Sequence, residues 1–445
     1  MPRPFLINRW YYLRPPLAQE CRLRKIKCDG HRPVCYRCQQ ASRDCQWSNG
    51  SARAQEQSKS PITTDQDVVT PRPRPTEYTS TKDPEKALQD PRIAEIFRHY
   101  VEHLAGWYDL NDAKRHFGDM VPCRARKNPL LLSAILAFAA ASQSSSYLKR
   151  DLWHLAESYH LESVQALLQL TKSLDGFRTG ETLAAICLLR SYEIISQNIS
   201  CQNHLQGSYS LLASRPAGRE TGLLDAGFWN YLREDITVAL IEKRSLMIEL
   251  PDEHLPPAIE GDDDLANRVT YLLGKVINRC LDRDTSPLEQ HEWESLKGKL
   301  DTWRTCLPAS FEPICTPGLY GERKFPCLWT VSGWHASSLQ YYHTALAILA
   351  IAEPIPATMN TLQQIDRINA FEATLDYHAT QISALAISSN SAPVWVNSFG
   401  PISFCGPWLK DPLKVHELVE ETQKWGNKTG WPVLSVIESL STRFG

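Results

Sequence analysis

The stretch Glu20–Trp47 reads ECRLRKIKCDGHRPVCYRCQQASRDCQW, and it decides how the head of this chain folds. It contains five cysteines but few large aliphatic side chains, so hydrophobic burial cannot hold it folded. Thiolates at this spacing suit a soft or borderline cation such as zinc, which can supply folding free energy directly. We therefore expect a metal-folded module whose ligands are Cys21, Cys28, Cys35, Cys38 and Cys45.

The spacing of these cysteines resembles that of the fungal binuclear-cluster transcription factors. The family pattern is C-x2-C-x6-C, a loop of about six residues, and C-x2-C-x6-C, in which six cysteines hold two zinc ions. From Cys21 onward the chain matches this pattern as CRLRKIKC, DGHRPV and CYRCQQASRDC, and Pro33 falls where the family places a proline. The resemblance implies a DNA-binding head with two zinc ions over residues 18–47.

One position departs from the family pattern. The first cysteine is expected three residues before Cys21, and Ala18 stands there. In the family, the first and fourth cysteines each bridge both metals, so the absent ligand would be a bridging thiolate whose counterpart is Cys35. Two explanations are open. Residues 1–17 are an atypical lead-in that comes from a misassigned start or a retained intron, or the chain has a degenerate cluster.

The basic run CRLRKIKC is the basis for expecting DNA binding. A short helix that begins at Cys21 would present four basic side chains on a scaffold fixed by metal, and the major groove is wide enough to admit it. By the family resemblance, Lys25 reads a CGG triplet with help from Arg24, whereas Arg22 and Lys27 mainly contact phosphate. A solvated basic turn or a nuclear-import signal would have the same charge, but the flanking cysteines favour DNA recognition.

The charge of the chain is unevenly distributed. The 445 residues have a net charge of −2, but the first fifty contain ten Arg and Lys against three Asp and Glu, which leaves −9 for the remainder. A basic head on an acidic body favours a polyanion such as double-stranded DNA as partner of the head alone. The composition of residues 48–89 predicts a disordered linker. It contains no heptad repeat, so it does not support a symmetric dimer, although a homodimer stays open.

From residue 90 to residue 445 the apolar residues recur at helical intervals, which predicts an all-α body. Asp90 is expected to cap the first helix, with Pro91 in its first turn. Asn128 and Pro129 start the second helix, and Thr179 caps a later one. The further helices are predicted at residues 152–170, 181–195, 228–250, 265–281, 288–306, 331–352, 361–387, 415–425 and 433–443.

Residues 99–140 and 228–250 resemble segments of the fungus-specific regulatory domain that commonly follows a binuclear cluster. The resemblance would extend from residue 90 to the C-terminus, and it implies a helical regulatory domain without catalysis. The chain contains no GxxxxGK[ST], GxGxxG, HExxH or GxSxG motif, so the common signals of phosphate-binding and hydrolytic enzymes are missing. Its longest apolar runs are too short to cross a bilayer, so no membrane partner is expected.

Several smaller features of the body have competing interpretations. The eight cysteines outside the head, Cys123 and Cys187 among them, are predicted to be buried as small hydrophobes in a reducing compartment. His154, Glu157 and His160 lie at helical spacing, where a polar stripe is favoured over a metal site. The run Asp262 to Asp264 is predicted to be a solvated loop before a helix. Trp107, Phe228 and Trp229 are predicted to pack in the core.

Together these features favour a nuclear, sequence-specific DNA-binding regulator of transcription. Zinc would fold the head, Arg24 and Lys25 would read a short GC-rich site, and the helical body would mediate regulation through co-regulator proteins. The alternative is a degenerate member of the family that no longer binds DNA and acts through protein–protein interaction. The number of zinc ions in the head distinguishes the two.

Overall fold

The computed structural model describes residues 78–144, 151–170, 179–196, 222–256, 261–282, 284, 286–319, 323–355 and 358–441. They belong to one unit that spans Pro73–Gly445. Helices dominate these residues, so the all-α prediction for the body is confirmed. Among the described helices, none has both the length and the apolarity that a membrane crossing requires.

The first half of the described body is helical throughout. Its irregular helical turns are a π-helical turn at Tyr100–Leu104, a 3-10 turn at Ala105–Trp107 and a π-helical turn at His116–Met120. The α-helices are α1 (Pro84–Ala87), α2 (Pro91–His99), α3 (Val121–Ala125), α4 (Pro129–Ser144), α5 (Asp151–Leu170), α6 (Gly180–Ser196) and α7 (Leu223–Glu242).

The second half adds a small hairpin to a further set of helices. The hairpin pairs β1 (Ile314–Leu319) with β2 (Pro326–Trp329) in antiparallel register, Ile314 opposite Trp329. It is an exception to the all-α prediction. The helices are α8 (Asp262–Cys280), α9 (Gln290–Thr305), α10 (Gly333–Ile351), α11 (Thr361–Ile387), α12 (Ala392–Cys405), α13 (Pro412–Thr429) and α14 (Leu434–Ser441), with 3-10 turns at Asp252–His254, Ala309–Phe311 and Gly406–Trp408.

Side-chain caps fix the starts of three helices that the sequence predicted. The Asp90 carboxylate accepts a hydrogen bond from the Arg92 amide at 3.0 Å, the Asn128 side chain accepts from the Leu131 amide at 3.1 Å, and the Thr179 hydroxyl accepts from the Thr182 amide at 3.2 Å. Each bond satisfies an amide that has no partner inside its own helix. These predicted starts are confirmed.

The body begins earlier than predicted. The predicted linker ran to residue 89, but residues 78–89 are described and contact α5. The Ser80 hydroxyl donates to a Glu162 carboxylate oxygen at 2.7 Å, the Thr81 amide donates to the same oxygen at 3.1 Å, and Tyr78 donates to the other carboxylate oxygen. Thr81 is fully buried. The predicted linker therefore ends before Tyr78, and its remaining residues, 48–77, lie outside the described residues.

Two hydrophobic cores hold the body together. One is built mainly from α2, α4, α5 and α6, and the other mainly from α7, α8, α10, α11 and α12. Helix α4 is apolar on all sides, and Leu130 to Ala141 are buried, as expected for a helix in the middle of a core. Trp107 packs against both cores, with its ring centroid 5.6 Å from that of Phe138 and 6.4 Å from that of Trp431. The predicted packing role of Trp107 is confirmed.

Candidate functional site

The site residues predicted from the sequence all lie in the head, outside the described residues. The structure therefore gives no geometry for the predicted metal ligands Cys21, Cys28, Cys35, Cys38 and Cys45, nor for the predicted DNA contacts Arg22, Arg24, Lys25 and Lys27. The described residues of the body can still show whether the body contains a metal site or a catalytic site of its own.

Among the described residues, no group of three or more His, Cys, Asp or Glu side chains could hold a metal ion. His160 stacks on Tyr192 with ring centroids 4.4 Å apart and an interplanar angle of 18°. Burial lowers the pKa of His160 to about 4, so its imidazole is neutral at physiological pH. His154 and Glu157 are exposed. The interpretation of this helix face as packing plus a polar stripe agrees with the structure.

The cysteines of the body are not uniformly buried. Cys187, Cys327 and Cys405 are buried, as predicted, and burial raises the pKa of the Cys405 thiol to about 12. Cys123 and Cys306 are exposed, so the prediction of burial is wrong for these two. Cys123 lies on the outer side of the short helix α3, and Cys306 is the residue that ends α9. Burial raises the pKa of the Cys187 and Cys405 thiols and so favours their protonated form, which is a poor zinc ligand.

The acidic run Asp262 to Asp264 was predicted to be a solvated loop before a helix. That prediction is wrong, because the run forms the first turn of α8. Acidic side chains are stabilised there by the positive end of the helix dipole. An Asp262 carboxylate oxygen lies 2.8 Å from Nε2 of His335, a buried residue of α10. This contact joins α8 to α10.

A buried set of charges joins α7 to its neighbours. The three consecutive residues Arg233, Glu234 and Asp235 point to different partners. Nη2 of Arg233 donates to the Tyr108 carbonyl oxygen at 2.8 Å, and an oxygen of Glu234 lies 2.6 Å from Nε of Arg190 in α6. Burial raises the pKa of Glu234 to about 7, although Arg190 opposes the rise. Charged residues in sequence usually indicate a solvated face, so this buried network was not predicted.

Asp235 also determines where α7 ends. Its fully buried carboxylate accepts a hydrogen bond from the Met247 amide at 2.7 Å and pairs with Nη2 of Arg244 at 3.1 Å. Both partners lie beyond the helix, so the chain turns back toward Asp235. Lys243 makes that turn with φ 54, in the left-handed region. The predicted helix over residues 228–250 therefore stops at Glu242.

A cavity with a volume of about 570 Å³, which we call the charged cavity, lies among α8, α9 and residues 245–252. Several of its charged side chains are paired with one another. One oxygen of Asp252 lies 2.9 Å from Nζ of Lys275 and 2.8 Å from Nζ of Lys299, and Nη2 of Arg279 lies 2.6 Å from a Glu292 oxygen.

The second cavity, which we call the aromatic cavity, has a volume of about 390 Å³ and lies among α9, α10, α11 and the hairpin. Tyr342, Tyr377, His343 and His378 form one wall. The Nδ1 atoms of the two histidines lie 3.0 Å apart. Burial lowers the pKa of His343 to about 3 and that of His378 to about 4. Both imidazoles are therefore neutral, and one donates its Nδ1 hydrogen to the other.

Comparison with known proteins finds two domain families in this chain. The profile of the fungal Zn(2)-Cys(6) binuclear cluster domain matches residues 19–55. That of the fungal specific transcription factor domain matches residues 95–228. The first match includes all five predicted metal ligands and starts immediately after Ala18. No solved structure matches the chain.

Two curated relatives are similar to the chain. The transcription activator AMTR1 of Alternaria alternata is 22% identical over 493 residues, which cover 81% of this chain and 63% of that protein. The sorbicillinoid biosynthetic cluster transcription factor sor3 of Hypocrea jecorina is 45% identical over 49 residues, which cover 10% of this chain and 7% of that protein. The chain thus spans less than two thirds of the length of either relative.

Proposed function

We propose that this chain, a member of the fungal proteins that join a Zn(2)-Cys(6) binuclear cluster domain to a fungal specific transcription factor domain, is a nuclear regulator of transcription that binds DNA through its head. The observation that supports it most is the order of the two domains. A cysteine-rich basic segment, residues 19–55, precedes a helical body with two hydrophobic cores. The proposed role of the body is regulation through co-regulator proteins, without catalysis.

Zinc fits the donor chemistry of the head. Five thiols lie within 25 residues there, and zinc binds thiolates in tetrahedral structural sites. The described body offers no comparable group of ligands. Cys21, Cys28, Cys35, Cys38 and Cys45 are therefore the proposed ligands. When bound, the metal supplies the folding free energy of the head and fixes its basic residues in place.

The basic residues of the head are proposed to make two classes of contact, one to base edges and one to phosphates. Lys25, with Arg24, is assigned to base edges of a CGG-type site in the major groove, where each base pair presents a distinct pattern of donors and acceptors. Arg22 and Lys27 are assigned to phosphates, whose contacts position the protein but carry no sequence information. The net charge of +7 in the first fifty residues supports a polyanion partner for this segment.

One observation favours a second candidate function. Ala18 stands where the family has its first bridging cysteine, so a cluster built from this chain alone would have five thiolates. A head that cannot hold two zinc ions would leave the helical body to act on partner proteins without DNA.

Binding of the full chain to matched and scrambled duplexes, measured by fluorescence anisotropy at one fixed salt concentration, separates base reading from phosphate contact. Lys25→Gln is expected to remove the preference for the CGG-containing duplex, a loss of about 1–3 kcal/mol in discrimination. Lys27→Gln is expected to weaken binding to both duplexes alike. If both variants lose affinity equally on both duplexes, the base-reading assignment is wrong. If the unchanged chain binds neither duplex, the second candidate function replaces the first.

A further inference from the structure

The aromatic cavity of the body has an apolar floor. Leu328 and Leu339 line it and are buried, with exposed fractions of 8% and 4%. Leu385 also lines it and is buried, and Leu346 is half-buried beside them. Its volume of about 390 Å³ falls in the range of pockets that hold small molecules. The floor therefore suits an apolar ligand of modest size.

The wall above this floor is aromatic and uncharged. The ring centroids of His343 and Tyr377 are 5.9 Å apart, and those of His343 and His378 are 5.2 Å apart. Each histidine uses its Nδ1 atom in the bond between them, and burial keeps both rings neutral. Such a wall attracts flat rings through edge-to-face and stacked contacts but offers no charge to an anion deep in the cavity.

Among the described lining residues, the one with a positively charged side chain is Arg304, which lies at the rim of the cavity. Arg304 at the end of α9 lies with its Nη1 2.8 Å from Oε1 of Glu312, and the side chains are 34% and 58% exposed. An exposed ion pair of this kind contributes little free energy, so its carboxylate can be exchanged for another at small cost. A ligand carboxylate that took the place of Glu312 would keep the guanidinium paired while Glu312 returned to water.

From these features we propose that the aromatic cavity is a binding site for a small, flat aromatic carboxylic acid. The rings of the acid lie between the leucine floor and the wall of Tyr342, Tyr377 and the histidine pair, and its carboxylate is held by Arg304 at the rim. All lining residues of this site lie in the body. The proposal adds a small-molecule ligand of the body to the proposed function.

The probe for this site is 2-naphthoate, titrated into the full chain by isothermal titration calorimetry, with 2-naphthamide as the matched uncharged analogue. We expect one molecule of 2-naphthoate per chain, bound about twofold to fivefold more tightly than the amide, because an exposed ion pair contributes up to about 1 kcal/mol. Arg304→Gln should remove this preference while the amide still binds. Lys299→Gln in the charged cavity is the control and should change neither affinity.

Two further variants test the location of the site. Leu346→Trp and Gln381→Trp each place a larger side chain in the cavity from a different helix, and either should abolish binding of both probes. Far-UV circular dichroism melts show which variant retains the fold, so at least one filled cavity can be compared with the unchanged chain. Absence of any heat at millimolar probe, persistence of the carboxylate preference in Arg304→Gln, or unchanged binding in a folded cavity-filling variant would each overturn the proposal.

Discussion

The cysteines of the head and those of the body differ in spacing and in environment. In the head, five thiols are separated by only two or six residues within a basic segment with little to bury. In the body, Cys187, Cys327 and Cys405 lie singly in apolar cores, where burial raises the pKa of the Cys187 thiol well above its usual range. The first arrangement suits metal binding, whereas the second suits packing.

On the proposed function, the two regions would obtain their stability from different sources. The head has few apolar residues in its sequence and would depend on metal for its fold. The body depends on two hydrophobic cores and on buried charge pairs that join its helices. A treatment that removes one source of stability should therefore leave the other region folded. A treatment that unfolds both regions would contradict this comparison.

Removal of metal is expected to have the largest effect. Treatment of the full chain with a zinc chelator should abolish sequence-specific DNA binding, because the head loses the ligand that folds it. The far-UV circular dichroism signal at the helical wavelengths and its thermal midpoint should stay unchanged, since no described group of body residues holds a metal. Restoration of DNA binding by added zinc is the control. A chelator that melts the helical body contradicts the comparison.

Truncation of a core side chain should destabilise the body and leave the head unaffected. Phe138 is fully buried in α4 and its ring lies 5.6 Å from that of Trp107. Phe138→Ala should lower the free energy of unfolding of the body by about 3–5 kcal/mol, because it removes apolar contacts and leaves a cavity. Urea unfolding followed by circular dichroism measures the loss. The zinc content of the variant should equal that of the unchanged chain, and a parallel loss of zinc would show that the regions are coupled.

The buried carboxylate of Glu234 predicts a pH dependence that belongs to the body alone. Burial raises its pKa from 4.5 to about 7 in the folded state, so the folded protein binds this proton more tightly than the unfolded chain does. The stability that this group contributes is thus present below about pH 4.5 and is lost as the pH rises toward 7. Glu234→Gln should flatten this part of the stability profile measured by urea unfolding. An unchanged slope in the variant would contradict the assignment.

The smallest expected effect is a difference in reactivity among the thiols. In the native chain, a thiol reagent such as 5,5′-dithiobis(2-nitrobenzoate) should modify the exposed Cys123 and Cys306 quickly and leave Cys187, Cys327 and Cys405 unmodified. Peptide mapping by mass spectrometry identifies the modified positions. Added zinc should protect the head cysteines but not Cys123 or Cys306. Protection of the two exposed body thiols by zinc would show that the body also binds metal.

Sequence patterns predicted those elements whose causes are local. Helix α4 is apolar over most of its length, and the predicted bounds of α11, residues 361–387, agree with the structure, where Asn360 supplies a capping box at the start. The metal ligands of the head were also predicted from spacing within a short segment, but they lie outside the described residues and stay a prediction. Caps, periodicity and ligand spacing can all be recognised without knowing the partner elements.

Elements that depend on distant partners were mispredicted or missed. Helix α12 contains Gly400 and Pro401, which in sequence indicate a break, yet it is a buried helix. A side chain at Gly400 would lie 2.8 Å from Cα of Thr237, so glycine is required for the close approach of α12 to α7. The end of α7 depends on Asp235, and the aromatic cavity depends on α9, α10, α11 and the hairpin together. A local sequence pattern does not reveal any of these contacts.

The central claim is that the cysteines of the head hold zinc, and native mass spectrometry of the full chain tests it most directly. Our account predicts two zinc ions per chain, both lost in Cys35→Ala, while the circular dichroism of the body is unchanged by this substitution. A matched Cys187→Ala variant should keep both ions, because Cys187 is a buried thiol of the body. No zinc in the unchanged chain, or one weakly held ion that survives in Cys35→Ala, would contradict the account and favour a regulator that acts without DNA.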